Sequence, residues 1–325
     1  MKKSQKLKTD KVFTKGFILA CLLLFGLVLA SLLTGAYNIR ENPDGWKMLF
    51  ITRIPRTVAL MLTGCAMSMS GIVMQLITQN KLVEPTTTGT IEWAGLGLIL
   101  VYILIPSPSL LERTTGAIVF AFIGSMVFFL LLKNIKLKSS LFVPVIGIMM
   151  GAVVSAISTF VALEFDMVQS LEIWFAGSFA PMQRGRYEYL YFILVITVLI
   201  FIYADQLTLA GLGEDIATNL GLNYQKIILF ANILISMAVG IVASVVGNVP
   251  FLGIIVPNLV SMKRGDNLRA NLPWTCLISM IVIITADIIS RTIIAPFEVP
   301  VSLILGSVGS IAFLLIIFSR KKASL

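Results

Sequence analysis

Apolar stretches long enough to cross a bilayer alternate along the whole chain with short polar gaps, and the basic residues favour every second gap. Seventeen of the 25 Lys and Arg fall in one set of gaps and eight in the other, while Asp and Glu divide about evenly. Cationic connections resist translocation, so the basic set reads as cytoplasmic and the chain as a multi-pass membrane protein. Composition agrees. With 58% hydrophobic and 13% charged residues over 325 positions, and a mean hydropathy of +0.96, the side chains cannot clothe a water-soluble surface. The net charge of +9 then anchors span ends to anionic headgroups and is no nucleic-acid footprint. Cys21, Cys65 and Cys276 stand alone in apolar stretches and His is absent, which argues against disulfides and a bound metal.

Ten spans are expected, at 17–35, 54–77, 91–105, 115–132, 141–163, 187–204, 227–247, 251–262, 273–293 and 299–318. The predicted fold class is therefore an all-α polytopic membrane protein, one transmembrane domain over 1–325. Its basic tail (1–16, with Lys2, Lys3, Lys6, Lys8, Lys11 and Lys15) and its Arg320–Lys322 end both lie in the cytoplasm. Lys133, Lys136 and Lys138, then Lys263, Arg264 and Arg269, fall on the same side only if the count is even. The first apolar run is too long for a cleaved signal and is kept as a span.

The third and eighth spans are shorter than the ~20 residues that a straight crossing needs. They sit five spans apart, and SMSGIVMQLITQN at 68–80 is echoed by SMAVGIVASVVGN at 236–248. One copy starts on each side, the mark of an inverted repeat of spans 2–5 and 7–10. The bland alternative is a chance likeness of two apolar Gly/Ser/Met stretches. Span two carries Gly64, Ala66, Ser68, Ser70 and Gly71, small residues that let helices approach closely, so it is expected inside the bundle.

Three polar regions are candidates for function. Residues 205–226 read as two short cytoplasmic helices broken at Gly211–Gly213 and ended at Gly221, with Leu207, Leu209, Leu212, Ile216, Leu220 and Leu222 for an apolar face. Glu214 and Asp215 open the second, where the helix dipole favours carboxylates. Few cations lie there, which favours a protein groove over anionic lipid. At the other side, Arg53, Arg56 and Arg291 read as exposed and run against the charge bias. They suit carboxylates of an extracytoplasmic partner, or else simply snorkel. Asp287 lies one helical turn before Arg291, within pairing reach. The outer loop 163–188 holds Trp174 and Phe175 before Gly177, either an entrance element or an aromatic belt. No GxxxxGK[ST] run exists, so any ATP would be hydrolysed on a separate subunit.

Taken together, RIPRT (53–57), the small-residue span ending at Gln75, QNKLVEP (79–85), WFAGS (174–178), GEDIATNLG (213–221), FLGIIVPN (251–258), ADIISR (286–291) and FEVPVS (297–302) closely resemble the FecCD family. That family comprises permease subunits of ABC importers for ferric siderophores, haem and cobalamin. The resemblance implies ten helices, a dimer with a second permease subunit (a paralogue rather than an identical copy), two cytoplasmic ATPase subunits and an extracytoplasmic substrate-binding lipoprotein. It implies no cofactor on this chain, with ATP on the partner, and a plasma-membrane location with both termini cytoplasmic. Arg53, Arg56 and Arg291 look like binding-protein docking arginines, and Glu214, Asp215, Ala217, Leu220 and Gly221 like the ATPase coupling segment. The translocation pathway is expected along Gln75, Asn80, Pro85, Thr88, Trp174, Pro257 and Asn258, with Asp287–Arg291 as a structural ion pair. Departures are NKLVEP for the usual NPLADP and Asn258 for the usual His. The EPTTTGT variant is similar to permeases for catecholate siderophores, so a ferric catecholate is expected, with haem or cobalamin as alternatives. An ion-coupled secondary transporter is the rival class; it would want buried carboxylates, of which Asp287 and Glu92 are the visible ones.

Overall fold

The computed structural model describes residues 12–35, 45–135 and 142–323. Lys2, Lys3, Lys6, Lys8, Lys11, Lys136 and Lys138 lie outside them, so the side assigned from these lysines rests on sequence alone.

All ten expected spans are helices, in the expected order. They are α1 (Lys15–Leu33), a short α2 (Gly45–Met48) leading through a wide turn at Leu49–Arg53 into α3 (Ile54–Ile77), α4 (Thr90–Leu104), α5 (Leu110–Asn134) and α6 (Phe142–Glu164). After α7 (Val168–Phe175) come α8 (Phe192–Ile202), α9 (Ala204–Ala210), α10 (Glu214–Asn219), α11 (Tyr224–Val245), α12 (Leu252–Arg264), α13 (Leu268–Thr292) and α14 (Val301–Ala323). Among the described residues, six are long and apolar enough to cross a membrane unaided, α1, α3, α5, α6, α11 and α13. The span that ends in α8 bends by 64° into α9. Helices α4 and α12, with 15 and 13 residues, fall short. At 1.5 Å per residue they reach about 20 Å, less than the ~30 Å of hydrocarbon.

Burial ranks the helices. The small-residue helix α3 is almost wholly enclosed, as its sequence predicts, whereas α1 is almost wholly exposed at the rim. A Cβ on Gly71 would fall 2.2 Å from the Gly253 carbonyl oxygen, so glycine there is what lets α3 touch the start of α12. Around this centre the packing repeats itself. Helix α3 lies against α12 and α13, and α11 lies in the same way against α4 and α5; α4 also meets α6 as α12 meets α14. Those are the pairings an inverted repeat of spans 2–5 and 7–10 requires. The two half-helices also begin alike, each entered through a left-handed residue, Gly89 (φ 75°) before α4 and Phe251 (φ 66°) before α12. Glycine takes that conformation freely, but a bulky aromatic residue does not.

Candidate functional site

Three clusters of polar side chains stand out, two at one end of the bundle and at its broken centre, and one on the elbow at the other end. At the arginine end, Arg53, Arg56 and Arg291 are 8%, 9% and 7% exposed. The sequence reading of exposed arginines is corrected here: each guanidinium is turned inward because a partner waits for it. Arg56 donates through Nε (3.1 Å) and Nη2 (2.8 Å) to Asp287 Oδ1, and through Nη1 to both oxygens of Glu298 (3.0 and 2.8 Å). Arg291 pairs with Asp287 Oδ2 at 2.6 Å, the expected one-turn bridge, and donates to the carbonyl groups of Ser31 and Thr34. Arg53 donates to the Leu32 carbonyl at 2.8 Å. Asp287 is thus shared by two arginines and fully buried, and losing it would leave Arg291 without a carboxylate and Arg56 with Glu298 alone, at about 3–5 kcal/mol. Beside it opens a cavity of about 190 Å³ lined by Thr34, Thr52, Arg53, Arg56, Arg291 and Glu298.

At the broken centre, the connection from α3 to α4 is laced onto α12. Pro257 inside α12 has no N–H for the carbonyl one turn back, that of Gly253, and Gln75 Nε2 supplies the missing donor at 3.0 Å. Asn258 Nδ2 donates to the carbonyl groups of Lys81 (2.8 Å) and Ile254 (2.7 Å). Glu84, fully buried, accepts from the Phe251 N–H at 2.9 Å, and the N–H groups of Gly253 and Ile254 point at the same carboxylate. It caps the half-helix α12 and holds the strained Phe251 in place. The Thr86 hydroxyl also donates to this carboxylate. Asn80 accepts from the Leu82 N–H, and Thr88 shares a hydrogen bond with Thr90 and donates to the Pro85 carbonyl.

Of the seven pathway positions, Gln75, Asn80, Pro85, Thr88, Pro257 and Asn258 therefore gather around this clasp, whereas Trp174 does not. Its ring stacks on Tyr102 at 4.6 Å near the α4 C-terminus, at the arginine end. Glu92 is half-buried against α6, near Gly151.

The elbow α9–α10 splits its apolar residues. Leu207, Ala210 and Ala217 face the bundle, and Leu207 is corrected from a docking face to a core residue. Leu212, Ile216 and Leu220 are 50%, 51% and 62% exposed, an apolar face left uncovered by the described residues. Glu214 and Asp215 do open α10, and Glu214 accepts from Gln225 Nε2 at 2.8 Å. Gly221 follows α10 at φ 85°. Gln79 Nε2 reaches the Gly211 carbonyl at 3.4 Å, and Gln79, Gln75, Lys81, Gly211 and Asp266 line a cavity of about 270 Å³. The stretch 79–84 thus touches the elbow at one end and the start of α12 at the other.

Glu84 and Glu298 escaped the sequence reading although both lie inside quoted motifs, NKLVEP and FEVPVS. Their partners are 167 and 242 residues away, so no spacing rule reaches them.

Comparison with known proteins supports the same assignment. The petrobactin import system permease protein FatD of Bacillus anthracis is 63% identical over 313 residues, 96% of this chain and 94% of that one. The petrobactin import system permease protein YclN of Bacillus subtilis is 41% identical over 84% of this chain and 86% of its own. Among solved structures, an inward-facing metal-chelate type ABC transporter superposes with a TM-score of 0.81, at 24% identity, over 94% of this chain and 100% of that one, which shows the fold. Residues 16–319 match the FecCD transport family. This chain is a multi-pass membrane protein of the FecCD transport family.

Proposed function

We propose that this chain is the permease subunit of an ABC importer that carries a ferric siderophore into the cytoplasm. The 63%-identical relative carries the reading, because its name gives petrobactin as cargo and import as task, and the match runs the length of both chains. Ferric petrobactin is accordingly the cargo to test first.

The geometry of the two ends supports the partners of this reading. An extracytoplasmic binding lipoprotein docks at the arginine end, where Arg53, Arg56 and Arg291 line the polar cavity. A cytoplasmic ATPase pair seats the exposed face of Leu212, Ile216 and Leu220, flanked by Glu214 and Asp215. ATP is bound and hydrolysed there, not on this chain. A second permease, a paralogue, completes the pathway. Both chain termini are cytoplasmic, as the basic gaps require. ATP-driven movement of the elbow reaches Gln79, then the Glu84 cap and the start of α12, so the broken helix is the element that alternates. Asn80, Pro85, Thr88, Pro257 and Asn258 hold that element; Gln75 borders the cavity of about 270 Å³ beside the elbow, and Trp174 stacks on Tyr102 near the α4 C-terminus.

Reconstituted vesicles holding both permeases, the ATPases and the lipoprotein decide the matter. Radio-iron from ferric petrobactin should accumulate only with ATP on the elbow side. Accumulation driven by an imposed ion gradient in vesicles lacking the ATPases would replace this reading with a secondary transporter.

A further inference from the structure

The two carboxylates that hold Arg56 are not equivalent, and the difference bears on how a partner docks. Asp287 is 0% exposed and tied to two arginines, so nothing can replace it without opening the core. The Glu298 side chain is 30% exposed, contacts Arg56 through Nη1, and borders the cavity of about 190 Å³. Its backbone is pinned independently of that contact: the Val299 N–H donates to the Ser290 carbonyl at 3.1 Å, Ser290 Oγ donates to the Val299 carbonyl, and Phe297 closes a turn onto Ile294. Glu298 can therefore swing away while its loop stays put.

We propose that Glu298 is an internal stand-in for a partner's carboxylate, and that the extracytoplasmic partner docks by exchanging its own Asp or Glu for Glu298 on Arg56. The inference rests on the docking role given above to the arginine end. The cavity beside Arg56 favours a side chain as occupant, since small-molecule sites run to about 300–1,000 Å³ and this one is about 190 Å³. Arg presents its fork to either carboxylate with the same geometry, so the exchange replaces one ion pair by another. Around it, Ile293, Ile294 and Phe297 form an exposed apolar tip on the same loop that the partner would cover. Glu298 thus acts as a positioning residue. It keeps Arg56 extended and pre-formed while the site is empty, and it sets a threshold that only a carboxylate delivered with the rest of a matching surface overcomes.

The test uses the complete transporter in lipid nanodiscs and its binding lipoprotein, with dissociation constants measured over a range of salt. For Glu298→Gln, affinity should rise by about fivefold, the worth of a partly exposed ion pair no longer lost on docking. The salt dependence should steepen as well, because docking then creates an ion pair instead of swapping one. Glu298→Asp, which keeps the charge but loses reach, should move both readouts the same way by less, and it serves if the Gln variant does not assemble. Unchanged or weaker binding with an unmoved salt slope would overturn the exchange and leave a purely structural Glu298. If the wild-type transporter itself captures no lipoprotein, or if Arg56→Glu leaves capture intact, the docking role falls first and the exchange with it.

Discussion

Asp287 and Glu84 are both fully withdrawn from solvent, yet the protein neutralises them in opposite ways. Asp287 is met by two guanidiniums at 2.8 and 2.6 Å, and so serves as the fixed centre of the arginine end. Glu84 has backbone N–H groups and the Thr86 hydroxyl in place of a cation. A carboxylate clamped by two buried charges is a permanent joint, because its loss would leave Arg291 buried with no carboxylate. One held by helix N–H groups across a broken helix is a joint that can loosen, since its ligands move with α12. The lesson is that rigidity at one end and compliance at the centre come from the same side-chain chemistry, set by what faces it.

The sharpest way to break this contrast is Asp287→Ala. It should destabilise the purified chain by about 3–5 kcal/mol, seen as a large fall in melting temperature or a loss of folded protein. If the variant melts like wild type, Asp287 is no joint. Next, Glu84→Ala should cost about 1–3 kcal/mol through uncapped N–H groups, and Glu84→Gln, which keeps an acceptor, clearly less.

Gln75→Leu is a smaller test of the centre. It leaves the Gly253 carbonyl without its donor and should cost about 1 kcal/mol or slightly more. It should leave the melting behaviour of Asp287 variants additive, because the two sites share no partner. Smallest in stability is the paired change Ile216→Ser and Leu220→Ser on the elbow. Both side chains are exposed, so folding should shift by no more than ~0.5 kcal/mol, while capture of the ATPase subunits in a pull-down should be lost. A stability drop with capture intact would make the elbow part of the core.

What the sequence disclosed follows from what local pattern can encode. Hydropathy and the charge bias located all ten spans within a few residues, and the shortness of α4 and α12 singled out the broken helices before any contact was known. The echo between 68–80 and 236–248 anticipated the paired packing of α3 and α11. Asp287–Arg291 was legible because a helix brings residues four apart together. Arg56 with Asp287 was not, since the two meet only when α3 packs on α13, and charge bias alone placed the arginines in water. Glu84 went unread for the same reason: its role as a cap exists only once α12 starts beside it. The elbow was half legible, with its break and its acidic start right and its inward Leu207 misplaced, because an apolar period does not say which face the bundle takes.

One measurement bears most directly on the permease reading. A single cysteine placed at Ile216, with Cys21, Cys65 and Cys276 replaced, can be crosslinked in intact membranes to the co-expressed ATPase subunit. Crosslinking that changes in yield with ATP, together with protection of the cysteine from impermeant reagents added outside, is the predicted result. Labelling from the outside with no ATPase adduct would contradict it.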